Sequence, residues 1–109
     1  MTRKRWSVEE KVYDDVIFRV FPETGEVVAL FPGFPADMEG GITSYMEVGQ
    51  HGAADYEYVM SKTVPASRGE YAFLKQELED IGYVLKVHST RTRKMIRNFV
   101  EILSEWHSL

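Results

Sequence analysis

The residues best suited to chemistry are Tyr45, Gln50, His51 and Asp55, which cluster where an alternating run from Ile42 to Val48 meets the segment Gly49-Gln50-His51-Gly52. Glycines at a strand end let the backbone approach a ligand closely, and exposed N–H groups there can hold an anion. An imidazole such as that of His51 is suited to acid or base work, and Asp55 is close enough in sequence to orient it. These four side chains form the candidate ligand-binding set. The same two glycines equally suit a tight turn out of the strand, with His51 a polar loop residue. No further catalytic group can be assigned, so no residue is designated catalytic.

A second constellation is cationic: Lys86, His88, Arg91, Arg93, Lys94 and Arg97. Residues 1–85 carry 8 Lys/Arg against 15 Asp/Glu, a balance of −7, whereas residues 86–109 carry 5 against 2, a balance of +3. The cations from Arg91 to Arg97 fall in the first turns of a helix expected over Thr90–Trp106. The helix macrodipole disfavours cations there by a few tenths of a kcal/mol each. They are therefore candidates for an external anion, either nucleic-acid phosphate or an acidic protein surface. The alternative is a solvated helix face that pairs with the acidic remainder of the chain.

Other chemistries lack their residues. With no cysteine, disulfides, iron–sulfur clusters and thiol nucleophiles are excluded. His51, His88 and His107 are too dispersed for a metal motif, and no metal or cofactor is expected. Asp14 and Asp15 are neighbours on a strand and point to opposite faces, which argues against paired-carboxylate catalysis. No nucleophile elbow, phosphate-binding loop or dinucleotide fingerprint is present, so catalysis is not the expected role. No apolar run approaches the ~20 residues of a membrane-spanning helix. The basic start Met1–Trp6 leads into Glu9, Glu10 and Lys11 rather than an apolar signal segment. A cytoplasmic protein with no membrane partner is expected.

Four strands and two main helices would position these residues. Residues 1–11 read as an arm, flexible or a short helix opened by Ser7 and Glu10, and 12–109 as a single domain. Val12–Phe21 and Glu26–Phe31 alternate as strands around the turn Pro22-Glu23-Thr24-Gly25. Pro32–Gly41 reads as a loop whose Phe31 and Phe34 either form an exposed recognition surface or fold back over the sheet edge. Ile42–Val48 is a third strand, and Ala53–Lys62 a short helix ended by Thr63-Val64-Pro65. Ser67 and Glu70 have capping-box spacing ahead of a helix with Tyr71, Leu74, Leu78 and Ile81 on one face and Gly82 as terminator. Tyr83–His88 is a fourth strand. In the last helix Ile96, Phe99, Leu103 and Trp106 centre the apolar stripe, with Met95 and Ile102 widening it. The order β-β-β-(α)-α-β-α gives an α+β fold: a small, mostly antiparallel sheet with two main helices on one face. If the last strand is parallel to its neighbour, the β-α-β crossover is right-handed.

Three blocks together resemble a group of small proteins encoded on bacterial plasmids, prophages and other mobile elements. They are Ile17-Phe18-Arg19 through Ala29-Leu30-Phe31-Pro32, Ser44-Tyr45 with Val48-Gly49-Gln50-His51-Gly52, and Pro65-Ala66-Ser67 with Glu70-Tyr71, Leu78 and Gly82-Tyr83. The resemblance implies an accessory factor that binds a host or element protein, inhibitors of host defence such as anti-CRISPR proteins included. It brings no catalytic residues. The expected function is thus a small interaction protein for a protein or nucleoprotein partner. The alternatives are a small-ligand or phosphate-binding domain, hydrolytic or not, at Gly49–Gly52, and direct nucleic-acid binding by the basic helix with the Arg3-Lys4-Arg5 arm.

Overall fold

The computed structural model describes residues 13–46 and 50–108, with Gln50 described through its backbone alone. The expected arm over 1–11, the Ser7/Glu10 spacing and the Glu47–Val48 end of the third strand lie outside these residues. Strands β1 (Asp14–Val20) and β2 (Val27–Pro35) form the expected antiparallel hairpin, with Ile17 opposite Leu30 and Val20 opposite Val27. In its turn the Phe21 carbonyl accepts from the N–H groups of Thr24 and Gly25, and Gly25 takes φ +79°, a region open to glycine at no steric cost.

Strand β2 does not stop at Phe31. It continues to Pro35 through residues expected to be a loop, with a register shift between Phe31 and Pro35 where it pairs with β3 (Ile42–Met46). Such an irregularity lets a strand carry a proline that cannot donate to the ladder. Phe31 is buried, and Phe34 packs against the core, so neither ring forms an exposed recognition surface. A further strand, β4 (Gln50–Ala54), pairs antiparallel with β3 and places His51 opposite Tyr45 and Gly52 opposite Ser44. The described part of the expected Gly49–Gly52 turn is therefore a paired strand, and the positive-φ glycines do not include Gly52.

Helix α1 (Tyr56–Lys62) comes next, then the two-residue β5 (Val64–Pro65), α2 (Arg68–Asp80), β6 (Leu85–His88) and α3 (Arg93–His107). Ser67 and Glu70 complete the expected capping box at α2. At its other end Gly82, at φ +116°, donates to the Glu79 carbonyl while Tyr83 donates to that of Leu78. This is the two-bond glycine terminator of a helix, completed by the packing of Tyr83 and Leu78 in one core. Strand β5 is antiparallel and β6 parallel to β1, and they share the same side of it. The sheet therefore runs β4-β3-β2-β1-β5, with β6 also on β1, giving six described strands where four were expected.

The helices do not share one face. Leu74 and Leu78 of α2 pack with Val16, Phe18, Ala29, Phe31 and Tyr45, whereas Val59 of α1 and Phe99 of α3 pack with Ile17, Val28, Leu30 and Ile42. Successive strand residues point to opposite faces, so α2 covers one side of the sheet and α1 and α3 the other. Met95, rather than Ile96, is the buried residue of α3, while Ile96 and Val100 are exposed. An added Cβ on Gly33 would lie 3.6 Å from the Met95 backbone, so the glycine lets α3 lie close on β2. The α2 stripe also ends early, with Ile81 exposed.

Residues 16–20 of β1 are all buried, and that includes Arg19. Its Nε donates to Thr63 Oγ1 at 3.0 Å, and its Nη2 donates to the carbonyls of Thr63 and Met60 at 2.7 and 3.3 Å. A cation thus meets the electronegative end of α1 and satisfies carbonyls that the helix leaves open. Burial pushes the guanidinium below its ordinary value, with Tyr56 acting in the opposite direction. Replacing Arg19 by Met should strand these acceptors and lower unfolding free energy by about 3 kcal/mol. Urea melts will check this: a loss under ~1 kcal/mol would show that the contact is dispensable.

Candidate functional site

Of the expected ligand-binding set, Tyr45 and His51 are brought together. They are opposed on β3 and β4, with ring centroids 4.6 Å apart in an edge arrangement. Asp55 does not orient His51. It is the N-cap of α1, its side chain accepting from the Tyr58 N–H at 3.0 Å. Gln50 takes part through its backbone, opposite Met46.

Two unexpected residues complete the cluster. Tyr83, two residues before β6, places its hydroxyl 3.0 Å from His51 Nε2 and stacks on Phe31 with centroids 5.1 Å apart. Glu77 of α2 accepts from the buried Tyr45 hydroxyl. A signal for Glu77 lay in the sequence: it falls three residues after Leu74 and next to Leu78, on the apolar face of α2. Tyr83 carried no comparable signal, because its position depends on the glycine terminator and the crossover. Burial pushes the Tyr83 phenol above its ordinary value, and the Asp14 carboxylate adds to the effect.

The cluster joins the rim of β4 to the α2 face. It is a ladder of paired polar groups on an aromatic floor, and Glu77 also lines a cleft of about 410 Å³ with Glu26, Glu70, Phe73 and Met46. A neighbouring cleft shares Glu26 and Met46 and adds Glu23, Tyr58 and Lys62. The charged groups lining the two openings beside the carboxyl end of β3 are thus Glu23, Glu26, Glu70 and Glu77 against Lys62 alone, a balance that disfavours a phosphate. Among the described residues, no group of three or more His, Asp or Glu is placed to hold a metal ion.

The cationic set divides in two. Arg91 lies over the Tyr56 ring at 4.2 Å, pairs with Glu57 at 3.1 Å, and precedes the helix rather than belonging to it. His88 Nε2 and Lys94 Nζ both approach Asp15, at 2.8 and 3.7 Å. Asp14 instead accepts from the Val84 N–H, so the adjacent carboxylates do separate work on opposite faces. Among the described residues, Lys86, Arg93 and Arg97 have no ion pair.

No described helix is long and apolar enough to cross a membrane. A scan against protein-family models, a search of curated proteins and a search of solved structures each find no match.

The Tyr83 environment makes a pH prediction with a definite sign. A phenol raised in the fold keeps its proton after the unfolded chain has lost it. Its stabilisation is complete below the ordinary tyrosine value, about 10, and is lost as pH rises through the higher folded value. Thermal melts across this alkaline range should fall more steeply for the wild type than for Tyr83→Phe, and the variant's tyrosinate absorbance should lose one phenol that titrates above the ordinary value. Superimposable curves would contradict the assignment.

Proposed function

We propose that this chain is a non-catalytic accessory module of a mobile element that binds the acidic surface of a protein, alone or within a nucleoprotein, through the outer face of α3. One observation carries the reading: Arg93 and Arg97 stand in the first turns of α3, against the macrodipole, with no ion pair among the described residues. No acid occupies the first turn to offset them. The cations that stabilise the domain are the others, Arg91 and Lys94, which meet Glu57 and Asp15. Arg93 and Arg97 therefore cost the helix a little stability without a return among the described residues, as expected of residues kept for a partner.

The neighbours of these arginines favour a protein. At 3.6 residues per turn, Arg93, Ile96, Arg97 and Val100 fall within an arc of roughly 100°, and both aliphatics are exposed, at 43% and 53%. Arginine beside aliphatic surface is the composition of a protein interface, whereas a phosphate backbone would leave Ile96 and Val100 unused. Lys86 is exposed on β6, the strand that leads into this helix. A defence complex of the host is the kind of target that the likeness to mobile-element proteins suggests, and catalysis is no part of the proposal.

Affinity purification from the source organism, with wild type and an Arg93→Gln/Arg97→Gln variant, tests the reading. The variant should lose at least ~10-fold in affinity for the captured partner, and binding should weaken as salt rises. It should also melt no lower than the wild type, because two misplaced charges are gone. Undiminished capture by the variant would refute the proposal. Binding to bare nucleic acid with equal affinity would move the function to the alternative of direct nucleic-acid binding by the basic helix.

A further inference from the structure

We infer that β4 is a self-association edge, pairing antiparallel with the β4 of a second copy about a two-fold axis at Gly52. This concerns a different surface from the α3 stripe and does not rest on it. Among the described residues β4 pairs with β3 alone and ends the sheet. His51, Gly52 and Ala53 are all exposed. A strand edge exposes main-chain donors and acceptors that can template another strand, and proteins commonly blunt such edges with charge, proline or brevity. On its far side this sheet does so: β5 is two residues long and contains Pro65, and β6 is four residues long and carries Lys86. Gln50-His51-Gly52-Ala53-Ala54 contains no proline, lysine or carboxylate. Among the described residues, one edge carries such guards within its strands and the other does not.

Symmetry and charge together set how a second copy fits. With Gly52 opposite Gly52, His51 lies opposite Ala53 and Gln50 opposite Ala54, so the one large ring faces a methyl group and the axis itself carries no side chain. Asp37, Glu39 and Asp55 gather around Ala53 and Ala54 at the end of the strand. A parallel arrangement would bring the two Asp55 residues together. The antiparallel register separates them by about six residues of strand, roughly 20 Å, beyond the ~8 Å reach of unscreened charge at physiological salt. Five paired residues bury less than the ~1,200 Å² typical of stable complexes, so the dimer should be weak, with Kd on the order of tens of micromolar.

Sedimentation of the wild-type chain over a wide concentration range gives the primary readout, and the weight-average mass should rise from monomer towards dimer. The absence of native cysteine allows a second one. A Cβ added at Gly52 would meet only Ser44 Oγ, at an ordinary 3.8 Å, so Gly52→Cys is sterically tolerated. Directly opposed strand residues lie within disulfide range. Under mild oxidation Gly52→Cys should cross-link to a dimer within minutes, while Ser104→Cys, on exposed α3 surface, should not. Ala53→Lys should return the protein to monomer. A wild type that stays monomeric to ~500 µM overturns the inference whatever the variants do, including the case in which β4 takes a strand from another protein. A dimer that persists undiminished in Ala53→Lys, or cross-links equally through Ser104→Cys, overturns β4 as its interface.

Discussion

The fold depends on a strand with almost no free surface. β1 has β2 along one side, β5 and β6 along the other, α2 over one face and α1 with α3 over the opposite face. Such a position calls for side chains that are apolar in both directions, and Val16, Ile17, Phe18 and Val20 supply them. Arg19 breaks the pattern, and this one buried cation organises the chain from α1 to β5. Its three bonds to Met60 and Thr63 dock the end of α1 onto the strand. They also set the corner from which β5 runs back beside Arg19 itself, with Pro65 as its register partner. A guanidinium suits this place because it stays charged when buried and offers several donors in one plane to acceptors that a helix end leaves unmet.

The same docking fixes the start of α3. With α1 held, Tyr56 and Glu57 present a ring and a carboxylate to Arg91, and the Tyr56 hydroxyl also accepts the Arg91 N–H at 3.2 Å. Asp15, four residues before Arg19 on β1, draws in His88 from the preceding strand and Lys94 from the helix. The acidic bulk of the domain thus neutralises one part of the basic segment in order to seat it. Among the described residues Arg93 and Arg97 are left over, because they project from the other side of a helix whose position is already set. The charge asymmetry seen along the chain is therefore two populations, one structural and one outward-facing.

Much of this was legible in residue order. Local rules with strong stereochemical causes carried over intact: the Pro22–Gly25 turn, the Ser67/Glu70 box and the Gly82 terminator each act within six residues of chain. Features that depend on distant partners did not. The Phe31–Pro35 segment looks like a loop because proline and glycine punctuate it, but the shift against β3 accommodates the proline and α3 uses the glycine for close approach. β4 has poor strand formers and is held by Ser44, whose hydroxyl donates to the Gly52 carbonyl at 3.1 Å, and by Tyr83. The split of the long helices between two faces, by contrast, does have a sequence signature. Val16-Ile17-Phe18 and Val28-Ala29-Leu30-Phe31 are unbroken apolar runs, and a strand with one wet face would alternate. As for the site, closeness in sequence groups Tyr45 with His51, but their pairing needs a strand β4 that the sequence presents as a turn, and Glu77 and Tyr83 arrive through a crossover that local sequence does not encode.

This origin changes what His51 does. A histidine between two glycines suggests a mobile loop that closes on a ligand, yet its ring is fixed from both sides, edge-on to Tyr45 and bonded to the Tyr83 hydroxyl. Tyr83 is in turn fixed by the helix terminator behind it and by its stack on Phe31. Side chains on the α2 face thus hold β4 in register where its own small residues supply little strand propensity. The strand can then keep an outer edge free of bulky or charged residues without fraying. A strand held on one side, and with no partner on the other among the described residues, has its backbone already arranged for pairing, which lowers the ordering entropy that any second strand must overcome.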